Sequence, residues 1–311
     1  MDIAIIGAGM AGLTCGARLT GAGHSVQLFD KGRGPGGRMS TRRVELGDET
    51  LQFDHGAQYF TVRDERFANQ VKAWEAEGVA APWPDAKEQA WVGTPAMNAP
   101  VKAMARRADV QFACRINGIR AVGTGLRLLG DDVPGKCFDA VISAVPAEQV
   151  PALLFPHAPE IAELAQVTIS DPCWTVMVAF DERPNLPVTI HKAGAIGWAA
   201  RNSSKPNRGE GECWVVQASP EWSREYLEES RASVITLLLH ELGEQAGGDL
   251  PTVRHASAHR WRYAMSGNAR QGCMWNAQSR IGACGDWLHG PRVESAFLSG
   301  WELAQRIIDG A

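Results

Sequence analysis

The apolar residues of this chain fall into successive patterns. A buried run from Asp2 to Ile6 leads into the turn Gly7-Ala8-Gly9-Met10-Ala11-Gly12. A helical stretch from Met10 to Thr20 follows, closed by Gly21-Ala22-Gly23, and a second apolar run extends from Ser25 to Asp30. Strand, tight turn, helix and strand in that order predict a β-α-β unit. A helix is expected to start near residue 98, and Asp109 to Val122 reads as a pair of strands of mixed character. Phe138 to Pro146 reads as a buried strand that stops at proline. From Ile161 to His259 alternating apolar stretches take over, as in Cys173 to Phe180 and Glu212 to Ala218, with a helix expected from about Ser223 to Ala246. That pattern predicts an antiparallel sheet with a helix laid against it. The chain then returns to a short strand from Arg280 to Trp287, ending in Gly-Asp, and Arg292 to Gly300 opens a last helix.

The fold class implied is α/β: a Rossmann-type dinucleotide-binding domain with a second α+β substrate domain built on an antiparallel sheet. A chain of 311 residues has room for both at about 150 residues each. The interleaving predicts a discontinuous nucleotide domain made of residues 1–75, 105–160 and 273–311, with 76–104 and 161–272 in the substrate domain. Lys plus Arg total 31 against 35 Asp plus Glu, and no block of like charge occurs. This balance offers no footprint for nucleic acid or an anionic membrane. The seven cysteines are scattered and never form C-x-x-C, so reduced thiols are expected. No basic n-region precedes Ile3, no apolar run reaches membrane-spanning length, and the last residues carry no anchor, which together predict a cytoplasmic protein.

Within the β-α-β unit the glycine spacing has a mechanical meaning. Gly7 allows the sharp turn, Gly9 lets the backbone approach a pyrophosphate, and Gly12 lets helix and strand pack closely. Phosphates then sit on the helix N-terminus at Met10 and Ala11, where free N–H groups and the helix dipole favour negative charge. Asp30 closes the second strand, where a carboxylate can accept bonds from a ribose 2′-OH. An acid there favours FAD or NAD over NADP.

The pattern G-G-R-x-S follows in Gly36-Gly37-Arg38-Met39-Ser40, and then Phe53-Asp54-His55-Gly56-Ala57-Gln58-Tyr59-Phe60. Here the sequence resembles the flavin amine oxidase superfamily, and Asp54 to Thr61 looks like its renalase branch. The stretches Asp171-Pro172-Cys173-Trp174, Trp198 to Pro206 and His259 to Ala264 also resemble renalase-like proteins. The resemblance implies a fold of the FAD-dependent amine oxidase and p-hydroxybenzoate hydroxylase type with non-covalent FAD. Gly37, Arg38 and Met39 would wrap its pyrophosphate, with Asp30 and Lys31 near the ribose and the Ile116 backbone at the adenine edge. Gly56, Ala57, Gln58 and Tyr59 would run beside the isoalloxazine, and Gly285 and Asp286 would contact the phosphate-ribityl region. The helix beginning at Val293, Glu294 and Ala296 would point its N-terminus at the flavin N1–C2=O edge, where reduced flavin carries negative charge. Arg38 as a surface charge and Asp286 as a plain N-cap are the structural alternatives.

The activity implied is FAD-dependent oxidation of 2- and 6-dihydro-NAD(P) to NAD(P)+, with O2 reduced to hydrogen peroxide. A dihydropyridine releases hydride to become aromatic, so it needs positioning more than an acid or base. Consistent with that, the substrate half carries no Ser-His-Asp set, metal-ligand spacing or carboxylate pair. Gln58, Tyr59, His259, Trp261 and Tyr263 are the candidate pocket residues, the last three alternating on one strand face. Arg201, Lys205 and Arg208 lie in a polar loop that either attracts substrate phosphates or is simply solvated. Two rivals remain. A flavin amine oxidase would frame an amine between two tyrosines, of which only Tyr59, Tyr226 and Tyr263 exist here, with Tyr226 expected on an exposed helix start; Trp could substitute. Cys273 or Cys284 could carry flavin covalently, against the commoner state of a small buried Cys. The second rival is a non-catalytic binding protein on the same fold, as in Rab escort and GDP-dissociation-inhibitor proteins.

Overall fold

The computed structural model describes residues 1–310. Its first layer is a six-stranded sheet centred on Asp2–Ile6, which pairs in parallel with Ser25–Phe29 on one side and Ala140–Ser143 on the other. Ile281–Ala283 extends the sheet in parallel beyond Ala140–Ser143, so the end of the chain returns to the sheet formed by its beginning. Helix Met10–Gly21 connects the two opening strands, and the last helix, Val293–Ile308, packs on it. A Cβ on Gly300 would stand 2.2 Å from the Ala11 carbonyl oxygen, so this helix pair touches backbone to backbone.

The second layer is a five-stranded antiparallel sheet in the order Thr189–Ala193, Ile196–Arg201, Glu212–Ala218, Asp171–Phe180, Val253–Met265. Its outer face, with Trp174, Val176, Val178, Trp214 and Val216, packs on Val234, Leu238 and Leu242 of a helix spanning Arg231–Ala246. The single helix expected over 223–246 is in fact two. Pro220–Glu225 is capped by Ser219, Arg231–Ala246 is capped by Ser230, and the residues between are non-helical. Each serine hydroxyl accepts an N–H from its own first turn, and two N-caps cannot serve one continuous helix.

The inner face of this sheet looks toward the nucleotide layer. The register sets Trp198, Gln217, Thr175 and His259 in one cross-strand row, with Cys173 and Trp261 paired beside it. A hairpin of Thr41–Leu46 and Glu49–Asp54 covers the other end of that face, burying Leu51 and Phe53 against Met177, Ala179, Cys213 and Val215. All seven cysteines are unpaired. Among the described residues no helix is long and apolar enough to cross a membrane.

Candidate active site

The dinucleotide loop is built from close approaches. Gly7 sits at φ +108°, and a Cβ there would meet the Ala144 carbonyl oxygen at 2.6 Å. A Cβ on Gly12 would stand 2.0 Å from the Gly7 oxygen. Gly9 is the exception: it is the N-cap of the first helix without a side-chain cap, and nothing lies within 4 Å of its Cβ position. Open space in front of uncapped N–H groups is the cradle a pyrophosphate needs. The Asp30 carboxylate accepts from Ala8 N and Gly32 N, both at 2.7 Å, which braces the loop and leaves further lone pairs for a ribose hydroxyl. At the rim Lys31 Nζ donates to Gln149 Oε1 at 2.7 Å, and Ile116 opens a strand paired with Gly130.

A second set of groups converges from distant parts of the chain. Arg38 makes a bidentate pair with Asp286 at 2.6 and 2.7 Å, joining the G-G-R loop to the Gly-Asp strand end. Arg38 therefore has an internal partner, though its side chain keeps 31% exposure and can still turn N–H groups outward. Gly285 N donates to Ser299 Oγ at 2.9 Å, fixing this strand end to the last helix. That helix starts with no side-chain cap from Arg292. Glu294 is spent differently from expectation: its carboxylate accepts Arg63 N and Asp64 N at 2.7 and 2.8 Å, so only its backbone remains to face a flavin. Val293 and Ala296 are half-buried in the same first turn. These residues fit FAD: acceptors for a ribose, an open uncapped N-terminus for the pyrophosphate, and a second uncapped N-terminus for the ring. Cys284 is fully buried against Cys15, which pushes its thiol well above the usual value, and Cys273 is raised by burial; neither is a nucleophilic thiolate.

The segment from His55 to Tyr59 lies across the inner face of the sheet. Trp261 Nε1 donates to the His55 carbonyl at 2.7 Å, Gln217 Nε2 donates to the Gly56 carbonyl at 2.7 Å, and Ala57 N donates to the Arg38 carbonyl at 2.8 Å. The Gly56 backbone passes so close to Arg38 that a Cβ would stand 2.0 Å from its oxygen. Tyr59 then meets Trp198 at 5.2 Å between ring centroids, and Trp198 meets His191 at 4.0 Å. On the other side His55 stacks on Trp261 at 5.2 Å and meets His259 edge-on at 5.1 Å. Tyr59, His259 and Trp261 thus share one surface, whereas Tyr263 is 36% exposed at the strand's outer end.

Two expectations need correction. Gln58 does not face a pocket: its amide is buried, with Nε2 donating to the Asp54 and Gly56 carbonyls and Oε1 accepting from Lys205 Nζ at 3.1 Å. The Arg201–Arg208 loop is neither solvated nor free for phosphates. Arg201 is bonded to Glu212, while the Lys205 and Arg208 side chains are 0% and 1% exposed and both reach Asp54 Oδ2, at 3.1 and 2.7 Å. Lys205 Nζ spends its three protons on Asp54, Gln58 and Asn202. Sequence reasoning missed this centre because Asp54, its anchor, lies about 150 positions away from its cations. The amine-framing pair of tyrosines is also absent: Tyr226 stacks on Trp222 at 4.3 Å, and its carbonyl accepts from Trp174 of the outer face.

His55 and His259 are uncharged near neutral pH. Burial and then the neighbouring His259 and Arg42 lower His55 to about 4, and burial followed by Arg42 and Arg231 lowers His259 to about 4. A folded value below the unfolded value of about 6.5 gives stability that is present above pH 6.5 and lost as pH falls through 4. The melting temperature is therefore expected to drop between pH 6.5 and 4, before most carboxylates titrate. A His55→Gln/His259→Gln variant should flatten that slope; the same slope in both proteins would assign the lability elsewhere.

A cavity of about 560 Å3 lies elsewhere, between the hairpin and the Phe180–Arg183 turn, and shares no residue with the nucleotide loops.

Comparison with known proteins places this architecture. Residues 5–73 match the NAD(P)-binding Rossmann-like domain model, and residues 84–308 match the model for flavin containing amine oxidoreductases. A 4,4′-diapophytoene desaturase of Staphylococcus haemolyticus is 41% identical over 64 residues, 21% of this chain and 12% of that protein. Its Staphylococcus aureus strain Newman counterpart is 43% identical over 56 residues, 18% of this chain and 10% of its own length. The match thus spans only a small part of these curated relatives. Among solved structures, a protein from Exiguobacterium sp. 255-15, provisionally named a protoporphyrinogen oxidase, superposes with TM-score 0.79 at 11% identity over 99% of each chain. Wild-type putrescine oxidase bound to putrescine gives 0.71 at 14% identity, again over 99% of each chain. At such identities these likenesses establish the fold alone, but the family model spans well over half of the sequence. The chain belongs to the flavin containing amine oxidoreductase family, with FAD as its cofactor.

Proposed function

We propose that this oxidoreductase is renalase-like and oxidises dihydronicotinamide nucleotides reduced at ring position 2 or 6 to NAD(P)+, with O2 reduced to hydrogen peroxide. Bound FAD supplies the hydride acceptor and the route to oxygen. The observation that carries the reading is the character of the surface over the inner sheet face. It offers aromatic rings and uncharged histidines, and the carboxylates around it are already bonded: Asp286 to Arg38, Glu212 to Arg201, Asp54 to Lys205 and Arg208. A dihydropyridine that gives up hydride needs no proton removed, so an uncharged aromatic platform that orients the ring suffices. Tyr59, Trp198 and Trp261 supply that platform, and the backbone at Gly56 and Ala57 fixes its height against the Arg38 loop. Arg42, whose charge helps keep His259 neutral, disfavours an ammonium substrate and favours an anionic nucleotide. The stretches that resemble renalase-like proteins all contribute here, through Gly56, Tyr59, Cys173, Trp198, His259 and Trp261, or through Asp54 and Lys205 that brace the turn.

Tyr59 and Trp198, tilted at 47°, support a second reading in which they frame an amine. The test is anaerobic mixing of the purified yellow protein with borohydride-reduced NAD+, which contains the 2-, 4- and 6-dihydro isomers. The isomer mixture is expected to bleach the visible flavin band at least about 100-fold faster than pure 4-dihydro NADH, because a misplaced hydride costs about that factor. Bleaching by a panel amine instead would assign Tyr59 and Trp198 to an amine. A colourless protein would restore the binding-protein reading.

A further inference from the structure

The hairpin that covers the inner face turns one basic residue toward the edge of the sheet. Arg42 stands opposite Phe53 in the hairpin register, and residues directly opposite in an antiparallel pair share a face. On that face the Phe53 ring lies 5.9 Å from the ring of His255, on the edge strand Val253–Met265. Beyond it, Ser40 Oγ lies 3.4 Å from His55 Nε2, and His55 meets His259 of the same edge strand. His255, Ser257 and His259 alternate on the inner face, with His255 Nε2 at 3.0 Å from Ser257 Oγ. Arg42 is exposed and has no carboxylate partner among the described residues, and its charge lowers all three imidazoles. Glu49 is taken by Arg254 at 3.0 Å, and Asp54 is bonded to Lys205 and Arg208. One free guanidinium, three uncharged imidazoles and two hydroxyls, with no acid among them, form the donor set of a phosphate site.

We propose that Arg42, with His55, His255, Ser257 and His259, binds the phosphate of the nucleotide substrate, which enters across the Val253–Met265 edge with its ring toward Tyr59 and Trp198. The identity of the nucleotide rests on the dihydronicotinamide reading above; the phosphate site rests on the cluster alone. It moves the phosphate-binding role from the Arg201–Arg208 loop, whose cations are bonded internally, to a cation that is free.

The test compares FAD-loaded wild type with Arg42→Gln on two substrates, the borohydride-reduced isomers of nicotinamide mononucleotide and of nicotinamide riboside, which lacks the phosphate. The quantity read is the ratio of the riboside KM to the mononucleotide KM. It is expected to fall about tenfold in Arg42→Gln, the usual scale for losing one charge-assisted hydrogen bond. An unchanged ratio would overturn the site. A second measurement does not depend on turnover: inorganic pyrophosphate is titrated into both FAD-loaded proteins while the histidine ring protons are followed by NMR. Saturable shifts of the His55 and His259 signals are expected in wild type and not in Arg42→Gln. No shift, or equal shifts in both proteins, would overturn the proposal even if no dihydronicotinamide were ever oxidised.

Discussion

Gly9→Val is expected to give a folded but colourless protein. The backbone at Gly9 is extended, with φ −82° and ψ −172°, a conformation that suits a β-branched residue. Nothing within 4 Å would meet the new Cβ, so the protein's own packing has no reason to change. The added side chain instead occupies the space in front of the uncapped N-terminus of Met10–Gly21, where the pyrophosphate must approach the backbone. A loss of at least about 100-fold in FAD affinity is expected, which corresponds to about 2.7 kcal/mol. The check is the ratio of visible flavin absorbance to protein absorbance after purification, with flavin titration of the apoprotein and its melting temperature beside it. Full flavin occupancy with unchanged affinity would move the pyrophosphate away from this turn. Gly12→Val provides the contrast: its Cβ would collide with the Gly7 oxygen, so it should lower the melting temperature as well.

How far the sequence reveals the site depends on how local each interaction is. Gly7, Gly9, Gly12 and Asp30 sit within one β-α-β unit, and their roles follow from spacing, because turn, helix start and strand end are fixed by neighbours in the chain. Met10–Gly21 and Ser25–Phe29 fall where the pattern of apolar residues puts them. The break between Glu225 and Arg231 was also written locally, in the helix-starting serines Ser219 and Ser230, each of which caps its own helix. The Asp54 centre left no such trace. Asn202 to Arg208 is polar and basic and reads as solvated loop; only its distant partner turns it inward. Gln58 is hidden for the same reason, since its neighbours in sequence face the sheet while its amide answers Lys205. Long-range ion pairing changes which side of a segment is buried without changing its local pattern.

That centre carries the second large effect: Asp54→Asn is expected to destabilise the fold by about 3–5 kcal/mol, the range for breaking a buried ion pair. Asp54 is fully buried and is, among the described residues, the only carboxylate that Lys205 and Arg208 reach. Two cations hold its carboxyl far below the usual carboxylate range despite burial, while burial brings Lys205 down to about 8. Removing the charge leaves the two cations facing a neutral amide in a site closed to water. Oδ1, which accepts Thr41 Oγ1 at 2.6 Å and Met97 N at 3.1 Å, can be mimicked by the amide oxygen, so the loss is electrostatic rather than steric. Lys205 is then expected to shed its proton or shift, loosening Gln58 and with it the turn from Gly56 to Tyr59. Urea unfolding of the FAD-loaded proteins measures the first effect, and the flavin spectrum reads the second. Adding Lys205→Met should recover part of the lost stability, because an unpaired buried cation costs more than an apolar side chain of similar length. A cost below about 1 kcal/mol for Asp54→Asn, or no recovery on adding Lys205→Met, would mean that the pairing contributes little and that the turn beside the flavin is held by Gln217 and Trp261 alone.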